Sequence, residues 1–380
     1  MGNQIGVTEA TGETWKSMKK SVSGPFSLVR LKKYIPAYNE CNKQMLGFID
    51  GQLKMGKNVI HSSDIFPMIS MDVLALVGLG VKINSFEDPN NEFKRKVDNI
   101  FDTRRWECVQ YLPNIAKLLR IKAMNPDSVG YIRTIIKRTM KQRKKDGILG
   151  NDILGAFIKH KEENPTDENF DAMLNTYVQF IGDGNFTLAG LLGANLYYII
   201  ANPDVYFKLV EEQEHVFGGD EGKNGELAEE KLNELPYLDM VILETSRLVC
   251  FERNSRTCTK PWRIPDTDLI IPIGTEIVVP VAAIHKDPDF WESPENFNPQ
   301  RFSSQNKGKI KSGTYLPFGS GPRHCLGMNY ARLHIKITIT HILRNYELHN
   351  FENLPKVMKR PHPFAFLPSE GLKLKFSKRL

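Results

Sequence analysis

Residues 318–327, FGSGPRHCLG, govern how the rest of this chain is read. Cys325 stands between glycines, two residues after Arg323 and just ahead of a segment with helical potential. A thiolate binds metal or attacks electrophiles, and its pKa falls at a helix N-terminus and beside cationic side chains. Gly319, Gly321 and Gly327 permit positive φ angles and the close approach of a flat ligand. Arg323 offers a planar, permanently charged donor for a carboxylate. A single cysteine is more often a small buried hydrophobe, and a Gly-Pro cluster more often marks a turn. Here Phe, Gly, Arg and Cys are fixed together in one short stretch, which sets this cysteine apart.

The segment resembles the haem-thiolate signature of the cytochrome P450 family, Phe-x-x-Gly-x-Arg-x-Cys-x-Gly, at every fixed position. The resemblance implies a P450 fold, mainly α with small β-sheets (α+β), as a single domain over residues 1–380. It implies that Cys325 is the axial ligand to the iron of haem b (iron protoporphyrin IX). Such a thiolate pushes electron density onto iron and favours O–O cleavage. Phe318, Arg323 and Gly327 carry over as cofactor-binding positions.

Further motifs fall into place around that signature. Glu244 and Arg247 share a helix face at i and i+3, a pair that alone would be a weak surface contact. They match the family's Glu-x-x-Arg. Residues 299–302, PQRF, resemble its Pro-Glu-Arg-Phe element with Gln300 in place of glutamate. The resemblance implies a buried network of Glu244, Arg247 and Arg301 supporting the cysteine loop. Trp15 and Lys19, at i and i+4, match Trp-x-x-x-Arg, with lysine keeping the charge but losing the planar fork. With Arg256, His285 and Arg323 they are expected to hold the haem propionates, two carboxylates that an apolar core would not otherwise accept.

The stretch FIGDGNFTLAGLL aligns with the family's oxygen-binding helix, Ala-Gly-x-Asp/Glu-Thr-Thr. Gly184 and Thr187 match, which leaves Asp183 in the alanine place and Phe186 in the acid place. A mid-helix glycine costs stability. Thr187 is expected to bond the carbonyl of Asp183, open the helix there and deliver protons. Phe186 relays no proton, so Asp183 is the candidate substitute. Thr187, Asp183 and Gly184 are therefore the expected catalytic residues. Phe180, Asp183, Phe186 and Leu188, with residues 250–255 and 364–367, are expected to line an apolar substrate pocket.

The chain of 380 residues has a net charge of +7 and a mean hydropathy of −0.35, an ordinary globular composition. Its five scattered cysteines form no disulfide framework, so a reducing compartment is expected. The absence of any CxxC argues against structural zinc. No nucleic-acid recognition motif accompanies the charge. The densest basic run, residues 137–145, reads as a solvated helix face. Stretches 68–81 and 188–201 are short and interrupted by Asp72 and Asn195, so neither is expected to span a membrane.

Helices dominate the expected order before residue 164. One then runs from the Thr166 cap to Ala201, one from Asp204 to Phe217, one from Tyr237 to Val249. Residues 253–280 read as a small sheet of hairpins. After Cys325, alternation of Leu333, Ile335, Ile337 and Ile339 points to a strand. A thiolate needs the amides of a helix start, and that points to a helix.

Wording such as AIHKDPDFW resembles the animal microsomal, xenobiotic-metabolising P450s in an arthropod-like form. That implies a monooxygenase acting on apolar small molecules (xenobiotics, lipids or steroid/terpenoid-like compounds). Electrons would come from NADPH through NADPH-cytochrome P450 reductase, with cytochrome b5 as an additional donor. The place would be the cytoplasmic face of the endoplasmic reticulum membrane. Lys16, Lys20, Lys32 and Lys33 are expected to form the docking patch for an acidic donor. The family's anchor, hinge, first helix and first strands have no counterpart here, so an N-terminally truncated fold with an exposed sheet edge near residues 268–279 is expected. The alternatives are a haem-thiolate isomerase or peroxide-using enzyme without reductase, or a non-catalytic fragment.

Overall fold

The computed structural model describes residues 6–8, 10–163, 170–218, 225–350, 353–356, 358 and 371–379. Its axis is the helix Phe170–Ala201, whose sequence is apolar on nearly every side. Asn202-Pro203 ends it, because Pro203 lacks the N–H that another turn would need. Pro203 then opens the next helix, Pro203–Phe217. The start expected at Thr166 lies outside the described residues. The helix expected over 237–249 is found at Pro236–Leu248.

After Cys325 the chain forms a helix, Met328–Asn345. Its alternating pattern is explained by burial: Leu333, Ile335, Ile337, Ile339, Ile342 and Leu343 are all buried, as are the residues between them except Arg332. A helix enclosed on all sides has no amphipathic period to show. This helix packs between the central helix and the helix Ile35–Lys54.

Among the described residues, seven short strands complete the fold. Val59–His61 (β1), Lys373–Lys378 (β7) and Tyr346–His349 (β6) form an antiparallel sheet in the order β1-β7-β6. Asn254–Thr257 (β2) pairs with Glu276–Val279 (β5), and Trp262–Arg263 (β3) pairs with Ile270–Ile271 (β4). The expected single sheet over 253–280 is thus two separate antiparallel pairs. Their side chains are largely exposed, including Trp262, Ile270, Ile277 and Val278.

One apolar cluster runs from Val22 to Phe376. It takes in most of the stretch Ser62–Leu79, which has the length and hydropathy of a membrane span. Since 72% of that stretch is buried, it reads as a core segment. Asp72 within it is buried and accepts the Ser85 N–H at 2.9 and 3.1 Å.

Candidate functional site

The cysteine loop is built on backbone bonds. The Cys325 N–H donates to the Phe318 carbonyl at 2.8 Å, and the Gly319 N–H to Leu316 O at 3.0 Å. Gly319 and Gly321 take φ of 72° and 70°, values that favour glycine. Gly327 does not: its φ is −84°, and it caps the helix that follows. Its expected positive φ is corrected here, because the turn is completed before Cys325.

Cys325 is exposed as a residue, yet its sulfur sits among enough protein for burial to push the thiol up. The amides of Gly327 and Met328 bond the sulfur and push the other way, while the Asp183 carboxylate adds to the rise. The net shift is upward, opposite to the sequence expectation. Two N–H groups at the helix start do not outweigh burial and the Asp183 charge.

Behind the loop, Glu244 is fully buried. It accepts Arg247 Nε and Nη2 at 2.8 Å each, the Asn298 N–H at 2.9 Å and Arg301 Nε at 3.3 Å. Arg247 also donates to His285 O and Pro294 O, and its guanidinium lies 5.1 Å from the Trp291 ring centre. The expected network is therefore present. Gln300 adds no side chain to these contacts. Its backbone is held by Asn298 Oδ1.

His285 departs from expectation. It is buried, with Nδ1 against the Arg247 carbonyl at 2.8 Å and Nε2 accepting the Leu316 N–H at 2.8 Å. Both ring nitrogens are engaged, and burial lowers its pKa to about 4. It ties the ion network to the segment leading into the cysteine loop and offers no donor to a propionate.

Trp15, Lys19 and Arg323 do converge. The Arg323 guanidinium lies 4.2 Å from the Trp15 ring centre, and its Nη2 donates to Ala10 O at 2.6 Å and Nη1 to Val7 O at 3.3 Å. Lys19 Nζ donates to Pro322 O and lies 5.5 Å from the same ring. Burial lowers the Arg323 pKa, and the nearby charge of Arg256 lowers it further. Arg256 is exposed and donates to Ser255 O at 2.7 Å. Among the described residues no carboxylate pairs with Lys19, Arg256 or Arg323.

On the central helix, Thr187 Oγ1 donates to Asp183 O at 2.7 Å, as expected. The helix stays continuous all the same. Gly184 does not open a groove: a Cβ there would come within 3.0 Å of Leu74 Cδ2. Its role is close helix packing. Leu188 is buried in the core and Phe180 lies in an aromatic cluster, with ring centres 4.8 Å from Phe26 and 5.1 Å from Tyr330. Asp183 and Phe186 are exposed. Residues 364–367 lie outside the described residues.

The family model for cytochrome P450 matches residues 1–376. This chain belongs to the cytochrome P450 family. Cytochrome P450 9e2 of Blattella germanica is 30% identical over 93% of this chain and 71% of its own length. Cytochrome P450 6d1 of Musca domestica is 28% identical over 97% and 77%. Cytochrome P450 3A13 of Mus musculus is 29% identical over 98% and 75%. As a P450 it is a haem monooxygenase.

The residues of this P450 fit haem. The Cys325 sulfur is a soft donor at a helix start, and a coordinated metal deprotonates a thiol outright even where burial raises its pKa. Arg256 and Arg323, two like charges in mutual range without a carboxylate, suit a dianionic edge. Two supporting side chains escape a sequence reading. The Arg332 guanidinium lies 5.7 Å from the Phe318 ring centre and hydrogen-bonds Tyr315. Trp291 covers Arg247.

Proposed function

We propose that this P450 inserts one oxygen atom of O₂ into apolar small molecules (xenobiotics, lipids or steroid/terpenoid-like compounds). The other atom leaves as water, and NADPH supplies the electrons through a reductase, with cytochrome b5 as an additional donor. The observation that carries this reading is the Cys325 loop, closed by the Cys325 N–H on the Phe318 carbonyl at 2.8 Å and shaped by Gly319 and Gly321 at φ of 72° and 70°.

Bound haem would supply the oxygen-activating chemistry. Cys325 would hold its iron, and Arg256, Arg323, Lys19 and Trp15 would hold its propionates. Glu244, Arg247 and Arg301 would keep the loop from shifting under that charge. Thr187 keeps a hydroxyl proton at Oγ1, donated to the Asp183 carbonyl at 2.7 Å. Asp183 is the acid on that face, because Phe186 stands in the acid place. Phe186, 56% exposed, gives the apolar surface for substrate.

Lys16 and Lys32 pair with Glu13 and Glu229, so the donor patch is carried mainly by Lys20 and Lys33, both exposed. Exposed Tyr111, Leu112, Ile115, Leu118 and Leu119 support contact with a membrane, here the cytoplasmic face of the endoplasmic reticulum. The test is reconstitution with reductase, NADPH and apolar substrates. Oxygenated product that depends on all three supports the reading, and equal turnover with a hydroperoxide alone contradicts it.

A further inference from the structure

The bonds of the buried His285 ring fix its tautomer. Nε2 accepts the Leu316 N–H at 2.8 Å, so that nitrogen carries no proton. A neutral imidazole then holds its proton on the other nitrogen. Nδ1 stands 2.8 Å from the Arg247 carbonyl, a group that can only accept. The His285 carbonyl in turn accepts Arg247 Nη1 at 2.6 Å. The two residues thus bond each other twice, side chain to backbone in both directions. The Tyr315 ring stacks on the imidazole with centres 5.9 Å apart, and the Trp291 ring meets it edge-on at 6.2 Å.

The far end of this lock is the cysteine loop. Leu316 gives its N–H to His285 and its carbonyl to the Gly319 N–H at 3.0 Å. Phe318, two residues on, accepts the Cys325 N–H at 2.8 Å. At the near end Glu244 holds Arg247. A continuous path of short bonds therefore runs from the buried ion pair through one imidazole to the cysteine. Resting on the haem-thiolate reading, we infer that His285 is a positioning residue for Cys325. Its Nε2 fixes the Leu316 amide, and through it the place from which the sulfur reaches iron. Without that acceptor the buried Leu316 N–H loses its partner, a cost that the segment relieves by moving.

Two substitutions separate the two ring nitrogens. By side-chain length, glutamine puts its amide where Nε2 stands and asparagine puts its amide where Nδ1 stands. His285→Gln keeps an acceptor for the Leu316 N–H, and His285→Asn keeps a donor for the Arg247 carbonyl. Each loses one bond, so the two are expected to unfold at similar denaturant concentrations. In haem-loaded protein His285→Gln is expected to keep the thiolate band of the reduced carbon monoxide spectrum. His285→Asn is expected to lose at least half of it to the shorter-wavelength band of a neutral thiol. A merely structural role would lower the band alike in both. By amide hydrogen exchange, Leu316 is expected to exchange about tenfold faster in His285→Asn than in the wild type and within about twofold of it in His285→Gln, as one lost hydrogen bond implies. Equal bands in the two folded variants overturn the inference. So does a Leu316 amide that exchanges freely in the wild type, a result that needs no variant to fold. A wild type that takes up haem without the thiolate band contradicts the haem-thiolate reading itself. A wild type with the band and an unaffected His285→Asn contradicts only the role of His285.

Discussion

Glu244 and Arg247 form a two-bond pair, both contacts at 2.8 Å, with neither side chain exposed. The pair's further contacts are local: the Asn298 amide and Arg301 on Glu244, and the carbonyls of His285 and Pro294 on Arg247. The site is thus held from behind by charge that has no access to water.

Removing one member leaves the other buried and unpaired. Arg247→Ala and Glu244→Ala are each expected to lose about 3–5 kcal/mol of unfolding free energy, measured by denaturant titration. Arg301→Ala is expected to cost less, since its contact at 3.3 Å is longer and one side reaches solvent. Equal losses at all three positions would contradict this ordering.

Arg323 spans from the cysteine loop to the residues before the first helix, Gly12–Ser23. Arg323→Ala removes charge-assisted bonds to Val7 and Ala10, and the expected cost is about 2 kcal/mol. Arg323→Lys keeps the charge but loses the fork and the stacking on Trp15, so it is expected to recover less than half of the loss. Limited proteolysis is expected to show faster cleavage ahead of Gly12 in both variants.

Three buried histidines make stability depend on pH. Burial lowers the pKa of His334 and His341 to about 3 and that of His285 to about 4. Each stays neutral in the folded protein, while the unfolded chain binds protons below about pH 6.5. Their contribution is complete above that pH and is lost as the pH falls toward 4 and then 3. The slope is about 1.4 kcal/mol per pH unit for each histidine. Neither ring nitrogen of His334 has a hydrogen-bond partner among the described residues. His334→Leu is therefore expected to flatten the slope, with a larger gain at pH 5 than at pH 8. An unchanged slope would show that the ring reaches solvent before unfolding.

Thr187→Val removes the hydroxyl that bonds Asp183 O while keeping the shape. Thermal stability is expected to stay within about 0.5 kcal/mol of the wild type, while oxygenated product per NADPH falls. A parallel loss of stability would instead assign Thr187 to structure.

The parts of the fold legible in the sequence are those specified locally. Proline and glycine place helix ends at Ala201 and Phe217, and the glycines at 319 and 321 shape the cysteine loop. The motif pairs at Glu244/Arg247 and Trp15/Lys19 are equally local; the first meets Arg301 and the second meets Arg323. What the sequence misplaces depends on distant partners. His285 is claimed by Arg247 and Leu316, residues separated from it by 38 and 31 positions. Gly184 answers to Leu74, which lies in another helix region. The alternation after Cys325 imitates a strand because burial on every side erases the helical period. The thiol shift reverses for a similar reason: the burial that raises it, with the Asp183 charge added, comes from distant parts of the chain.

The most direct measurement is the absorption spectrum of the purified, reduced protein under carbon monoxide, for the wild type and for Cys325→Ser. The expected result is the strongly red-shifted Soret band of a thiolate-ligated haem in the wild type and its loss in the variant. A folded wild type that binds haem stoichiometrically without that band, or a variant that retains it, would contradict the assignment of Cys325 as the iron ligand.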